Sequence, residues 1–147
     1  RDNRAMIVER LIDLGFDINA QALDGVTALH LACAFAREET IRVLLSGNAD
    51  PTIRGGPHDQ MPIHILASKA SSTAVAPLQL LLKASSPSIR LECDSEGNIP
   101  LILAVQTGNL DVIKELLSSM SREQLTYKRP PDDNTALHYA IFNKNMD

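Results

Sequence analysis

Thr27-Ala28-Leu29-His30, Met61-Pro62-Ile63-His64, Ile99-Pro100-Leu101-Ile102 and Thr135-Ala136-Leu137-His138 are four versions of one phrase, with second positions 34, 38 and 36 residues apart. A recurrence at a near-fixed period marks a repeat architecture before anything else is read. The phrase itself is helix-start chemistry. Thr27 and Thr135 suit the N-cap, where a hydroxyl accepts an orphan backbone N–H of the first turn. Pro62 and Pro100 suit the first helical position, where a missing N–H is no loss. Leu29, Ile63, Leu101 and Leu137 follow as core anchors, trailed by Ala32, Ala67, Ala104 and Ala140, which let a paired helix approach closely. A second landmark fixes the register: Leu11-Ile12-Asp13-Leu14-Gly15-Phe16-Asp17 recurs as Leu44-Leu45-Ser46-Gly47-Asn48-Ala49-Asp50, an offset of 33. Gly15 and Asn48 then share a position where a helix-ending residue adopts a left-handed conformation.

This pattern resembles the ankyrin repeat, whose signature is Thr-Pro-Leu-His-x-Ala. The expected fold is an all-α ankyrin-repeat solenoid of paired antiparallel helices with projecting hairpin-like fingers. Each unit alone cannot bury its apolar face, so neighbouring repeats share one continuous core. The expected division is a partial repeat with an outer helix over 1–23, repeats over 24–57, 58–95 (with an insertion) and 96–131, and a partial repeat with an inner helix over 132–147. Both ends break inside a repeat, which reads as an excerpt from a longer array. With 3% aromatics and no Trp, the apolar 44% is a Leu, Ile and Ala core. A net charge of −4 with scattered Lys and Arg gives no broad basic face for nucleic acid. No apolar run approaches the roughly 20 residues of a membrane-spanning helix, so the segment is not expected to insert in a membrane. Cys33 and Cys93 lie 60 residues apart without a CxxC, and Cys33 falls inside an inner helix, which favours a reducing, cytosolic compartment.

The first full unit is the most regular, with an inner helix near Ala28 to Ala36 and an outer helix carrying Ile41, Leu44 and Leu45. The segment before the first unit gives an outer helix over Ala5 to Leu14, and Leu137 to Asn143 gives the last inner helix. Thr52 to His58 is the next finger, and its Gly-Gly-Pro predicts a tight, locally mobile turn. Ser68 to Thr73 is a polar insertion, after which an outer helix starts near Pro77 with Leu78, Leu81 and Leu82. Met120 stands at the Gly position of the third unit, so its outer helix either runs on or is followed by a short turn through Arg122 to Leu125. Lys128 to Asp133 is the last finger, stiffened by Pro130 and Pro131.

Nucleophile–base constellations are missing from this pattern, and no catalytic centre, cofactor or metal site is expected. His30, His64 and His138 sit in the repeated phrase, where hydrogen bonding within and between repeats is their expected role; zinc would need ligands clustered at short spacing. His58 reads as a solvated finger residue. Asp24-Gly25, Asp94 to Gly97 and Asp132-Asp133 fall where repeats turn, so they read as turn formers rather than acid–base pairs. Gly55-Gly56 lacks the Lys and Ser/Thr of a phosphate loop, and Ser86-Pro87 is a bare two-residue candidate for phosphorylation. Candidate partner-binding residues are the finger residues Arg54, His58, Lys128 and Arg129.

The departures from consensus carry a further resemblance. The Gly55-Gly56 finger, Ser71-Ser72-Thr73-Ala74-Val75, Ile89-Arg90-Leu91, Ile99 to Val105 with its missing His, Gly108-Asn109 and Glu123-Gln124-Leu125 follow one another in this order. Together with Asp2-Asn3 and Ile12 to Gly15 they resemble the first repeats of the cytoplasmic ankyrin array of TRPN, or NOMPC, mechanotransduction channels. That resemblance implies a mechanically gated cation channel, possessing a distant pore, at the plasma membrane and assembled as a homo-oligomer. It also implies an elastic tether whose amino-terminal repeats face microtubules. Two other classes compete with it: a partner-binding module of a soluble signalling or scaffold protein, and the regulatory array of an enzyme.

Overall fold

The computed structural model describes residues 2–118 and 120–143. Among them are eight α-helices: α1 (Asn3–Asp13), α2 (Ala28–Ala34), α3 (Glu38–Ser46), α4 (Pro62–Ala67), α5 (Val75–Ala84), α6 (Pro100–Thr107), α7 (Leu110–Leu117) and α8 (Ala136–Phe142). The even-numbered helices stack in one layer, α2 on α4 on α6 on α8, and the odd-numbered ones stack in a second layer. Within each unit α2 packs on α3, α4 on α5 and α6 on α7. The core therefore runs along the stack rather than around a centre: Leu29, Ile41, Leu44, Ile63, Leu66, Leu78, Leu81, Ile99, Ile102 and Leu116 are all fully buried. The result is the all-α solenoid read from the repeated phrase.

The phrase works locally as its residues predict. Thr27 Oγ1 faces His30 Nδ1 at 2.8 Å, and the Thr27 N–H donates to the same nitrogen, closing a capping box at the start of α2. Pro62 and Pro100 occupy the first turns of α4 and α6. Gly15 (φ 84°) and Asn48 (φ 66°) are both left-handed at their shared position.

Several boundaries differ. α2 ends at Ala34 because Ala36 turns left-handed (φ 49°), and α1 begins at Asn3, capped by Asp2. The outer helix of the second unit begins at Val75, not Pro77, after a 3-10 turn over Ser72–Ala74. Pro77 is the third residue of α5, still within the first turn, where the N–H that proline lacks would have had no intrahelical acceptor. The helix α7 does not run on; it stops at Leu117, and a separate 3-10 turn follows over Gln124–Thr126. The insertion is held by Asn109, whose Nδ2 donates to Lys69 O (2.8 Å) and Ser71 O (3.0 Å) while its Oδ1 accepts the Val112 N–H at the start of α7.

Candidate functional site: the finger ladder

Between an odd-numbered helix and the next even-numbered one the chain runs out into a finger and back. The stems close by backbone bonds: Ala22 N–H to Val26 O, Gly55 N–H to Gln60 O, Asp94 N–H to Asn98 O and Arg129 N–H to Asn134 O, all 2.9–3.0 Å. Each tip holds a left-handed residue, Gly25 (φ 82°), Asp59 (φ 49°), Gly97 (φ 80°) and Asp133 (φ 54°), and the second finger adds Gly56 (φ 77°). Asp and Asn tolerate this conformation better than other non-glycine residues, which explains the Asp-rich turns. Asp94 shows the turn chemistry most fully. Its carboxylate accepts N–H groups from Glu96 and Asn98 and the side-chain amides of Gln60 and Asn98. Burial works against its charge, but these donors outweigh it and hold its pKa below the usual carboxylate range.

The fingers are fastened to one another in two ways. From the inner layer, His30 Nε2 meets Gln60 O at 2.9 Å and His64 Nε2 meets Glu92 O at 2.8 Å. In both rings a backbone N–H (Thr27 or Met61) points at Nδ1, so Nδ1 is the acceptor and Nε2 carries the proton donated to the next finger. Burial lowers both pKa values against the pull of these carbonyls. His138 repeats the inner half, with its Nδ1 at 3.1 Å from the Thr135 N and 2.9 Å from its hydroxyl. Ile102, fully buried where a histidine would stand, cannot make this link. There the joint is made by Tyr127, whose hydroxyl donates to Gly97 O (2.9 Å) and lies 2.8 Å from Cys93 Sγ.

From the first two finger stems, the residue just before the closing pair reaches its counterpart on the following finger, whereas Arg129, itself in the last closing pair, reaches back to the preceding finger. Gln21 Nε2 contacts Arg54 O at 3.4 Å, and Arg54 Nη1 donates to Cys93 O. Arg54 also pairs with Glu92 at 2.8 Å and with Asp59 at 3.8 Å. Arg129 Nε donates to Glu96 O (3.0 Å), and its Nη1 contacts Asp132 (3.1 Å) and the Tyr139 hydroxyl (3.0 Å). His58 is not merely solvated: its Nδ1 lies 2.9 Å from Glu96 Oε1, and its carbonyl accepts the Ser95 N–H. Asp132, accepting from Tyr139 first and from the Asn134 N–H and Arg129, is held at a pKa of about 2. Of the four candidate contact residues, then, Arg54, His58 and Arg129 are engaged between fingers, and Lys128 is exposed. Their acidic partners Glu92 and Glu96 escaped the sequence reading because each belongs to a neighbouring finger. Only pairing units in register would have suggested them.

Gly55 also has a role other than mobility. A Cβ there would run into the carbonyl of Gly25, so the missing side chain lets the second finger lie against the first. Cys33 is fully buried and its thiol is pushed well above the ordinary range by desolvation, which makes it inert packing. Among the described residues no three His, Cys, Asp or Glu side chains converge as a metal site, and no helix is long and apolar enough to cross a membrane.

Comparison with known proteins agrees with this geometry. A family profile described as "Ankyrin repeats (3 copies)" matches residues 63–147, and "Ankyrin repeats (many copies)" matches residues 1–45. The chain is 31% identical over 152 residues to Rabankyrin-5 of Mus musculus, covering 93% of this chain and 12% of that protein. It is 28% identical over 130 residues to the tyrosine-protein kinase HTK16 of Hydra vulgaris, covering 86% of this chain and 16% of the kinase. It is 30% identical over 125 residues to neurogenic locus notch homolog protein 1 of Mus musculus, covering 84% and 4%. The chain thus spans a sixth or less of these relatives' length. Repeated phrase, two-layer stack, finger ladder and profile matches agree: the chain belongs to the ankyrin-repeat family.

Proposed function

We propose that this segment is a non-catalytic protein-binding array that presents the edge of its finger ladder to a protein partner. The supporting observation is the fastening of finger to finger through Gln21, Arg54, His64 and Arg129. An edge held rigid beforehand loses less conformational entropy on binding than separate mobile loops would. Leu23, fully exposed at the first finger, and the exposed Lys128 at the last are among the side chains left to meet a partner.

The finer reading is that the partner is a microtubule and the parent a mechanically gated channel, with this array as its elastic tether. Its support is the sequence resemblance to the TRPN array; no relative named above is described as a channel. In this reading Lys128, rather than Arg54 or Arg129, supplies the salt-sensitive contact to an acidic filament, since both arginines are committed within the ladder. Co-sedimentation of a capped, multimerised array with assembled microtubules tests it. Pelleting that weakens with salt and is lost in Lys128→Glu supports the tether. An absence of pelleting at low salt removes direct microtubule contact, and binding unaffected by Lys128→Glu removes the proposed contact residue. Two-residue controls at Arg54 and Arg129 are less informative, because they would loosen the fingers themselves.

A further inference from the structure

Arg90 is the one buried arginine among the described residues. It lies in the 3-10 turn Pro87–Leu91 after α5, is only 8% exposed, and has its Nε enclosed without a hydrogen-bond partner. Among the described residues no hydrogen bond or ion pair holds its guanidinium at all, whereas Arg42, Arg54 and Arg129 each have carboxylate partners. Its Nη atoms are not enclosed in the same way, so they form the opening of this group to solvent. Counting back seven positions from the left-handed residues Gly97 and Gly25 gives Arg90 ahead of the third finger and Ile18 ahead of the first. Ile18 is a packing residue, with its Cδ1 against Gly47 at the end of α3. A guanidinium therefore occupies a place that an aliphatic side chain fills in the equivalent unit. An arginine stays charged, and a buried charge with no counter-charge is costly.

The surrounding sequence says which sign is missing. From Gln60 to Leu91 there is no Asp or Glu, while Lys69, Lys83 and Arg90 fall in that stretch, and Glu92 just beyond it is paired with Arg54. The same turn offers hydroxyls instead: Ser86 and Ser88, both exposed, lie 3.1 Å apart. We infer that the Nη edge of Arg90 is a binding site for an oxyanion of the phosphate monoester class. Two Nη donors in one plane match two phosphate oxygens, and a dianion attracts the guanidinium more strongly than a carboxylate does. The phosphoryl group has two possible sources, Ser86 of the same turn, in its Ser-Pro pair, or an ester carried by another molecule.

The test uses the intact chain and two kinds of phosphate. Inorganic phosphate at tenfold excess over its Kd raises Tm of the wild type by roughly 3–6 °C over chloride of equal ionic strength. Arg90→Met loses this increment, and without phosphate it melts at or above the wild-type temperature. In the wild type, the Nε–Hε resonance of Arg90 moves and saturates along the same titration. Phosphoserine incorporated at Ser86 separates the sources: a raised Tm with no further response to inorganic phosphate assigns the group to Ser86, and an undiminished response assigns it to an external ester. Identical responses of wild type and Arg90→Met, an unmoved Arg90 resonance, or an Arg90→Met protein much less stable in chloride would each overturn the inference.

Discussion

Replacing His64 by Ala tests the claim that imidazoles are the joints of this stack. His64 is completely buried. Its Nδ1 accepts the Met61 N–H at 3.2 Å and its Nε2 donates to Glu92 O at 2.8 Å. Truncation strands both backbone groups, at about 1–3 kcal/mol for each unsatisfied buried partner. It also leaves a cavity between α4 and the following finger. We expect a loss of roughly 3–5 kcal/mol, a large share of the ~5–15 kcal/mol by which native domains are stable. Urea unfolding followed by circular dichroism at 222 nm measures the total. Amide hydrogen exchange locates it: protection should fall most in the finger around Glu92 to Asn98 and least in α1, because repeat units feel mainly their nearest neighbours. A loss below about 1 kcal/mol, or an equal loss of protection along the whole chain, would refute the assignment of His64 as a joint.

Lowering the pH should destabilise the protein in a defined window. Burial holds His30 and His64 below the ordinary histidine range, so below about pH 6.5 the unfolded chain binds protons that the folded chain does not. Stability is therefore full above that pH and declines as pH falls toward the lower folded values, and urea midpoints at several pH values should show His64→Ala flattening the decline. Leu101→Ala, truncating a nearly buried anchor of α6, should cost roughly 2–5 kcal/mol in the same assay; an unchanged midpoint would mean that the register of the third unit is wrong. Gly55→Ala should destabilise by about 1–3 kcal/mol and raise exchange at the Gly56 amide, which bonds to Asp24 O, because the new Cβ meets backbone that cannot rotate away. Chelator treatment should leave the melting temperature unchanged, and retained stoichiometric zinc whose removal lowers it would contradict the role given to the histidines.

The helices were legible because their cues are local. A cap at Thr27, a proline at Pro62 or Pro100 and a left-handed residue at Gly15 or Asn48 each act within one turn of the chain. The start of α5 was misread for the same reason: Pro77 is a valid first-turn residue, but the 3-10 turn over Ser72–Ala74 carries the helix start two residues back. Finger contacts were illegible because they are non-local. Arg54 reads as a free cation until Glu92 and Cys93 O are brought beside it. Gly55 reads as a hinge until the Gly25 carbonyl fills the space beside it.

The departure at Ile102 shows how one joint can be remade by different chemistry. A buried isoleucine there adds apolar contact but leaves the finger without a donor from the inner layer. Tyr127 supplies that donor from the following finger, reaching back to Gly97 O, and Arg129 adds a charged contact to Glu96 O. Desolvation, then the contact with Cys93, raises the Tyr127 pKa above its usual range, so the hydroxyl keeps its proton through neutral pH and in acid. Imidazole joints lose their acceptor when protonated, since Nδ1 then opposes a backbone N–H donor. Acid therefore weakens the joints at His30 and His64 while leaving the joint at Tyr127 intact. The missing histidine thus gives the array one joint with a different pH response, at the boundary where the third unit meets the fourth.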